Sequence, residues 1–233
     1  MRSQAKPRLY IEALPLTTER LSGIGHSLEQ IVRSLTNDKK ITDIYDVILF
    51  GPEKGRERVL SRDFKHATYK SYRMPQKLFT VFNLLGLLPP IDRRFGRGVY
   101  LFGNYVNYPL TKRSRSITYV HDISYLRYPE HVRPKVRRIL EHYVPQWIRR
   151  TNQVVTVSGH AKHEIVEAYH LAAERVLVVP NGIDTAVSHR RSSKEVAEVK
   201  KRYGIEGEYV LYLGNKEPRK NLQRLVEAYA LLS

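Results

Sequence analysis

Apolar positions along the chain fall into short blocks of two alternating kinds. Arg8–Leu14 is nearly continuous in apolar character and predicts a short buried strand. A loop over Pro15–Ser22 leads to Gly23-Ile24-Gly25-His26. After it, Leu28, Ile31, Val32 and Leu35 recur at i, i+3, i+4 and i+7, one face of a helix. Tyr45–Phe50 and Ala67–Arg73 read as further strands, and Pro75–Leu88 as a helix ended by Pro89-Pro90. Val99–Phe102 and Ser116–Val120 are strands, the second running into His121-Asp122. Val132, Val136, Leu140, Tyr143 and Trp147 mark a helix with an expected kink at Pro145. Gln153–Val157 is a strand ending at Ser158, which can cap a helix over Gly159–His170. Arg175–Val179 is the next strand, stopped by Pro180-Asn181-Gly182. Strands that alternate with helices predict an α/β, Rossmann-like parallel sheet covered by helices on both faces.

The pattern then restarts. Residues 1–184 form the first domain, and 185–207 form a polar, basic linker and a short connecting helix reaching Tyr203. Residues 208–233 read as the incomplete start of a second Rossmann-like domain. Tyr209–Leu213 is its first strand, Gly214 opens the loop, and a helix from Asn221 has the face Leu222, Leu225, Val226, Tyr229 and Leu232. One strand and one helix do not bury a core.

Composition narrows the chemistry. The 233 residues include no cysteine, which excludes disulfides, thiolate metal sites and cysteine nucleophiles. The formal net charge of +17 calls for an anionic partner (a phosphate-rich ligand, nucleic acid or an acidic membrane face) or keeps a solvated surface soluble. No nucleic-acid-binding motif accompanies that charge. No secretory leader is visible, and the most apolar stretch, Leu78–Leu88, is far short of the roughly 20 residues that span a bilayer. The expected location is cytoplasmic or peripheral on the inner membrane face. Two basic segments are candidates for membrane contact. In one, Arg133, Lys135, Arg137, Arg138, Arg149 and Arg150 flank the Val132–Ile148 stripe; in the other, Lys77 and Arg93-Arg94 bracket Leu78–Ile91. Each apolar stretch either meets lipid or fills the core. No D-x-D, H-E-x-x-H, Walker loop or G-x-S-x-G is present, which argues against metal hydrolase, nucleotide hydrolase and serine esterase chemistry.

Ligands of open parallel sheets bind at the carboxyl ends of the strands. Three segments place polar residues there. Gly25 either lets backbone N–H groups approach a phosphate at the helix N-terminus or forms a plain tight turn. His121-Asp122 either faces a sugar or phosphate in a cleft or caps a strand end. In Lys216–Asn221, Arg219 and Lys220 set cations at a helix start. That opposes the helix dipole unless an anion binds there, and the alternative is an exposed basic loop.

Together these segments resemble the retaining glycosyltransferases of family four, which have the GT-B fold. The resemblance lies in Gly23-Ile24-Gly25; in Val120-His121-Asp122 with Tyr128-Pro129-Glu130; in Thr156-Val157-Ser158 with Lys162; in Pro180-Asn181-Gly182-Ile183-Asp184; and in Gly214 with Glu217-Pro218-Arg219-Lys220-Asn221. It implies an N-terminal acceptor-binding domain and a C-terminal domain for a nucleotide-sugar. That ligand is a co-substrate, with no metal and no other cofactor. Under the resemblance, His121 and Asp122 are the catalytic candidates. Gly25, Arg219 and Lys220 meet the donor diphosphate, and Gly23, His26 and Ser158 lie on the acceptor side. The implied reaction moves a hexose to a glycan or lipid-linked acceptor with retention. With the donor side mostly beyond residue 233, the chain alone is expected to be inactive or nearly so. The alternative is a non-catalytic acceptor-binding or membrane-docking module, or half of a split transferase completed by a partner chain.

Overall fold

The computed structural model describes residues 6–183, 188–214 and 218–231, without the side chain of Arg219. Among them, strands β1 (Arg8–Glu12), β2 (Asp46–Pro52), β3 (Ala67–Tyr72), β4 (Val99–Phe102), β5 (Arg115–Tyr119), β6 (Gln153–Thr156) and β7 (Val176–Val178) form one sheet. Its order is β3-β2-β1-β4-β5-β6-β7, and every pairing is parallel. The helices that connect and follow the strands are α1 (Gly23–Asn37), α2 (Lys39–Ile44), α3 (Arg56–Leu60), α4 (Gln76–Leu84), α5 (Asp92–Phe95), α6 (Ser124–Arg127), α7 (Pro134–Arg150), α8 (Gly159–Tyr169), α9 (Ser193–Tyr203) and α10 (Leu222–Ala230). The fold is the expected Rossmann-like α/β sheet.

Successive side chains of a strand point to opposite faces, so the apolar strands feed two cores. Leu9, Ile11, Val47 and Leu49 meet Leu28 and Val32 of α1. Tyr10, Ile48, Phe50, Tyr100 and Phe102 meet Phe79 of α4 and Phe95 of α5. Tyr10 and Tyr100 are register partners on β1 and β4, and their rings stack 4.5 Å apart. Their buried hydroxyls donate to Phe95 O and Gly96 O, each at 2.6 Å. A third cluster joins α7 and α8 to β6 through Leu140, Val144, Trp147, Ile165 and Val154.

Asn107 ties the β5 side together. Its Nδ2 donates to Trp147 O at 2.8 Å and to Thr151 Oγ1 at 2.7 Å. Asn107→Leu removes both donors from a buried site and is expected to cost about 1–3 kcal/mol in urea denaturation.

Two sequence expectations change, and one alternative is decided. The helix expected over Pro75–Leu88 ends at Leu84; a positive φ of 70° at Gly86 turns the chain and sends Leu88 into the core. Helix α7 spans Pro145, and with Leu140, Val144, Trp147 and Ile148 buried, most of its apolar face is core rather than membrane contact. The strand expected over Tyr209–Leu213 does not form. A lone strand has no ladder partner and gains nothing from its apolar side chains, and Val210, Leu211 and Leu213 are exposed. Helices α9 and α10 likewise bury no residue. Local signals hold α9: a capping box between Ser192 and Glu195, and Gly204 in the left-handed conformation at its end.

Candidate functional site

From β1 the chain winds outward through β2 and β3, then returns to place β4 against the other side of β1. The loops leaving β1 and β4 therefore part, opening a crevice at the carboxyl edge of the sheet. The β1 loop delivers the N-terminus of α1. Gly103 follows β4, and His121 follows β5 by two residues.

His121 Nε2 lies 3.0 Å from Gly103 O. A carbonyl only accepts, so Nε2 carries the proton, and in the neutral ring Nδ1 is a lone-pair acceptor. The ring stacks on Tyr119 at 5.8 Å. A Cβ on Gly103 would stand 2.9 Å from Leu28 Cδ1, so the close approach of α1 to β4 favours glycine there.

Ser22 caps α1. Its Oγ accepts from Gly25 N at 3.3 Å. A Cβ on the buried Gly25 would meet Pro15 O at 3.0 Å and Leu21 Cδ2 at 3.1 Å. Packing thus disfavours a side chain at Gly25, and its N–H is engaged inside the turn. The N–H groups of Gly23 and Ile24 make no hydrogen bond to the described residues, as at any helix start. Ser22→Ala is expected to lower stability by about 1 kcal/mol, read from the thermal midpoint.

Beside this terminus lies a cavity of about 520 Å³, walled by Gly23, His26, Ser27, Tyr119, Asn181 and Gly182. Ser27 Oγ donates to Asn181 Oδ1 at 2.9 Å, joining α1 to the loop after β7. Gly23 and His26 thus share a cavity with Tyr119, the ring on which His121 stacks. Ser158 and Asp122 each make a local bond. Ser158 Oγ caps α8 by accepting from Ala161 N at 3.1 Å, and Asp122 Oδ1 accepts from Ser124 N at 2.9 Å. Burial, then the charge of Asp122, push the Tyr105 hydroxyl above its ordinary pKa. Lys220 is exposed in a single turn over Pro218–Lys220, while Asp184, Asn215–Glu217 and the Arg219 side chain lie outside the described residues. Among the described residues no cluster of three or more His, Asp or Glu is placed to hold a metal ion.

Sequence reasoning passed over Ser27, Tyr119 and Glu12. Ser27 and Tyr119 carry no local signal. Glu12 did: it is the lone carboxylate in an apolar strand. It is 5% exposed at the end of β1 and accepts from Leu14 N at 2.9 Å. Burial pushes its pKa up to about 8 against the pull of that N–H, so it is neutral at pH 7.

Sheet order and crevice define a Rossmann-like α/β protein. Two solved structures share the fold. Anabaena Alr3699/HepE in complex with UDP-glucose aligns with a TM-score of 0.53 at 14% identity, covering 85% of this chain and 50% of that one. HepE in complex with UDP and glucose aligns at 0.52 and 13%, with the same coverage. Residues 22–187 match Glycosyltransferase Family 4, and the chain belongs to that family. It is 33% identical over 120 residues to the O-antigen chain mannosyltransferase B of Escherichia coli, 51% of this chain and 31% of that protein. It is 32% identical over 85 residues to the serotype-specific mannosyltransferase WbdA of Escherichia coli, 36% of this chain and 10% of that protein. The matches thus span a minor part of each relative's length. No described helix is long and apolar enough to cross a membrane.

Proposed function

We propose that this chain supplies the acceptor-side half of a transferase centre that moves a hexose from a nucleotide-sugar to a glycan or lipid-linked acceptor, retaining the anomeric configuration. The observation that carries the reading is His121, pinned to Gly103 O at the switch-point edge and stacked on Tyr119, which also walls the α1 cavity. A sugar there meets an imidazole that accepts from a hydroxyl when neutral and donates when protonated. The nearby N-terminus of α1 favours a developing negative charge. On the donor side, Arg219 and Lys220 would neutralise the leaving diphosphate, electrostatic stabilisation that needs no metal. Mannose is the favoured sugar because the two named relatives are mannosyltransferases.

The test has two arms. In saturation-transfer NMR, a mannose oligosaccharide is expected to contact the chain and to lose that contact in His121→Ala. In a transfer assay with labelled nucleotide-sugars, the chain alone is expected to turn over little, and any product is expected to keep the donor's anomeric configuration. An inverted product, or no oligosaccharide contact at millimolar concentration, overturns the reading. A second reading, a split transferase, draws on α9 and α10, which bury nothing. It requires a separately expressed nucleotide-binding domain to restore transfer when added.

A further inference from the structure

Helix α4 is amphipathic, yet it turns only part of its apolar surface inward. Phe79 and Asn83 face the core, where Phe79 stacks on Tyr72 at 4.1 Å. Leu84 packs against the third cluster, and the other large apolar side chains on and beside the helix point to solvent. Leu78 is 50% exposed, Val81 47%, Leu85 63% and Leu87 62%, and Phe82 and Met74 are also exposed. Leu78, Val81, Phe82 and Leu85 sit at i, i+3, i+4 and i+7, so they form one outward stripe. This resolves the alternative posed by the sequence: Phe79, Leu88 and Ile91 fill the core, and the stripe does not.

The exposed charges that flank the stripe along the chain are of one sign, and the acid beside them in space, Glu53, accepts from Ser71 and is matched by Arg56 and Arg73. No charged residue occurs from Leu78 to Ile91. The exposed charges on either side are Arg73, Lys77, Arg93, Arg94 and Arg97. The acid within this stretch, Asp92, is buried and turned away. Burial alone would raise its pKa, but hydrogen bonds from Thr111 and Ser114 outweigh that and hold it below the ordinary value. Beside α4 lies a cavity of about 700 Å³, where Arg73 and Arg94 join the apolar walls of Met74, Phe79, Leu88 and Ile91.

We propose that this face docks on an anionic phospholipid bilayer, the stripe of α4 entering the acyl boundary and Arg73 and Arg94 holding a lipid phosphate at the neighbouring cavity. Charge selects this occupant over a second copy of the chain. A two-fold pairing would bring two sets of five cations together, whereas an anionic leaflet attracts each of them. Apolar area and cations side by side are what an interfacial helix needs, because neither alone gives stable attachment. The inference does not depend on the sugar-transfer reading, since none of its residues belongs to the His121 crevice.

The experiment is flotation of the full chain with two kinds of vesicle, phosphatidylcholine alone and phosphatidylcholine with about one third phosphatidylglycerol. The chain is expected to float with the anionic vesicles and not with the neutral ones, and to be released by salt. Leu78→Ser with Leu85→Ser is expected to weaken binding about tenfold or more. Arg73→Glu with Arg94→Glu is expected to do the same without changing the far-UV spectrum or the thermal midpoint, as both side chains are exposed. Inorganic phosphate at matched ionic strength distinguishes a free anion from a lipid. Full displacement by it overturns the bilayer assignment. Equal flotation of the wild type and the leucine pair, no flotation with anionic vesicles, or a dimer in sedimentation that the leucine pair dissociates each overturns it as well.

Discussion

His121→Ala is expected to lower hexose transfer by about 10²-fold in an enzyme completed by a nucleotide-binding domain, whether that domain is joined to this chain or added to it. The estimate corresponds to a hydrogen bond to a reacting sugar held in a water-poor crevice, about 2–3 kcal/mol. Two effects combine. The sugar loses the imidazole, and Gly103 O loses the partner that fixes the loop after β4. His121→Gln separates them, because an amide can still donate to Gly103 O but presents no ring to stack on Tyr119. If positioning dominates, the glutamine variant recovers most of the transfer rate; if the imidazole itself dominates, it recovers acceptor binding and still loses kcat. A His121→Ala enzyme as fast as the wild type would remove the site from this edge of the sheet.

The second large effect is on stability. The carboxyl of Glu12 has an ordinary pKa of 4.5 and is pushed up to about 8 in the folded chain. The native state thus holds a proton that the unfolded chain releases between these values. By linkage, the stability contributed by that proton is full below about pH 4.5 and is lost as pH rises toward 8. The slope is about 1.4 kcal/mol per pH unit. Glu12→Gln keeps the acceptor for Leu14 N–H and cannot ionise. The variant is therefore expected to gain on the wild type steadily from pH 5 to pH 8 in urea midpoints, by several kcal/mol in all. Parallel midpoints for the two proteins across that range would show that Glu12 is solvated and charged in the fold.

Much of the architecture is legible in the sequence because its causes are local. Leu28, Ile31, Val32 and Leu35 repeat at helical spacing, and Ser22 and Ser158 carry the oxygen that a helix start needs. The continuous apolar strands call for cover on both faces, which in turn calls for a parallel sheet. The failure at Tyr209–Leu213 has the complementary cause. Its residues favour a strand, but a strand exists only against a neighbour, and none lies beside it among the described residues.

The site is less legible. Sequence placed His121 at the end of a strand, where a cleft was expected. It could not say that the ring would bond a carbonyl 18 residues earlier, which assigns the tautomer. Ser27 and Asn181 meet across 154 residues, and no spacing rule connects them. Gly25 shows the reverse case, a residue chosen for its glycine. The structure spends that glycine on the approach of Pro15 and Leu21 and engages its N–H with Ser22.

Periodicity, caps and charge alone determined the order of strands and helices, the Rossmann-like class and the basic character of the chain, because each is set by neighbours within a few residues. The tertiary structure decided the rest: the return of the chain that sets β4 against β1 and opens the crevice, the depth at which Glu12 is buried, and the direction in which α4 turns its leucines. These depend on which distant segments pack together, and packing is settled only when the whole core closes.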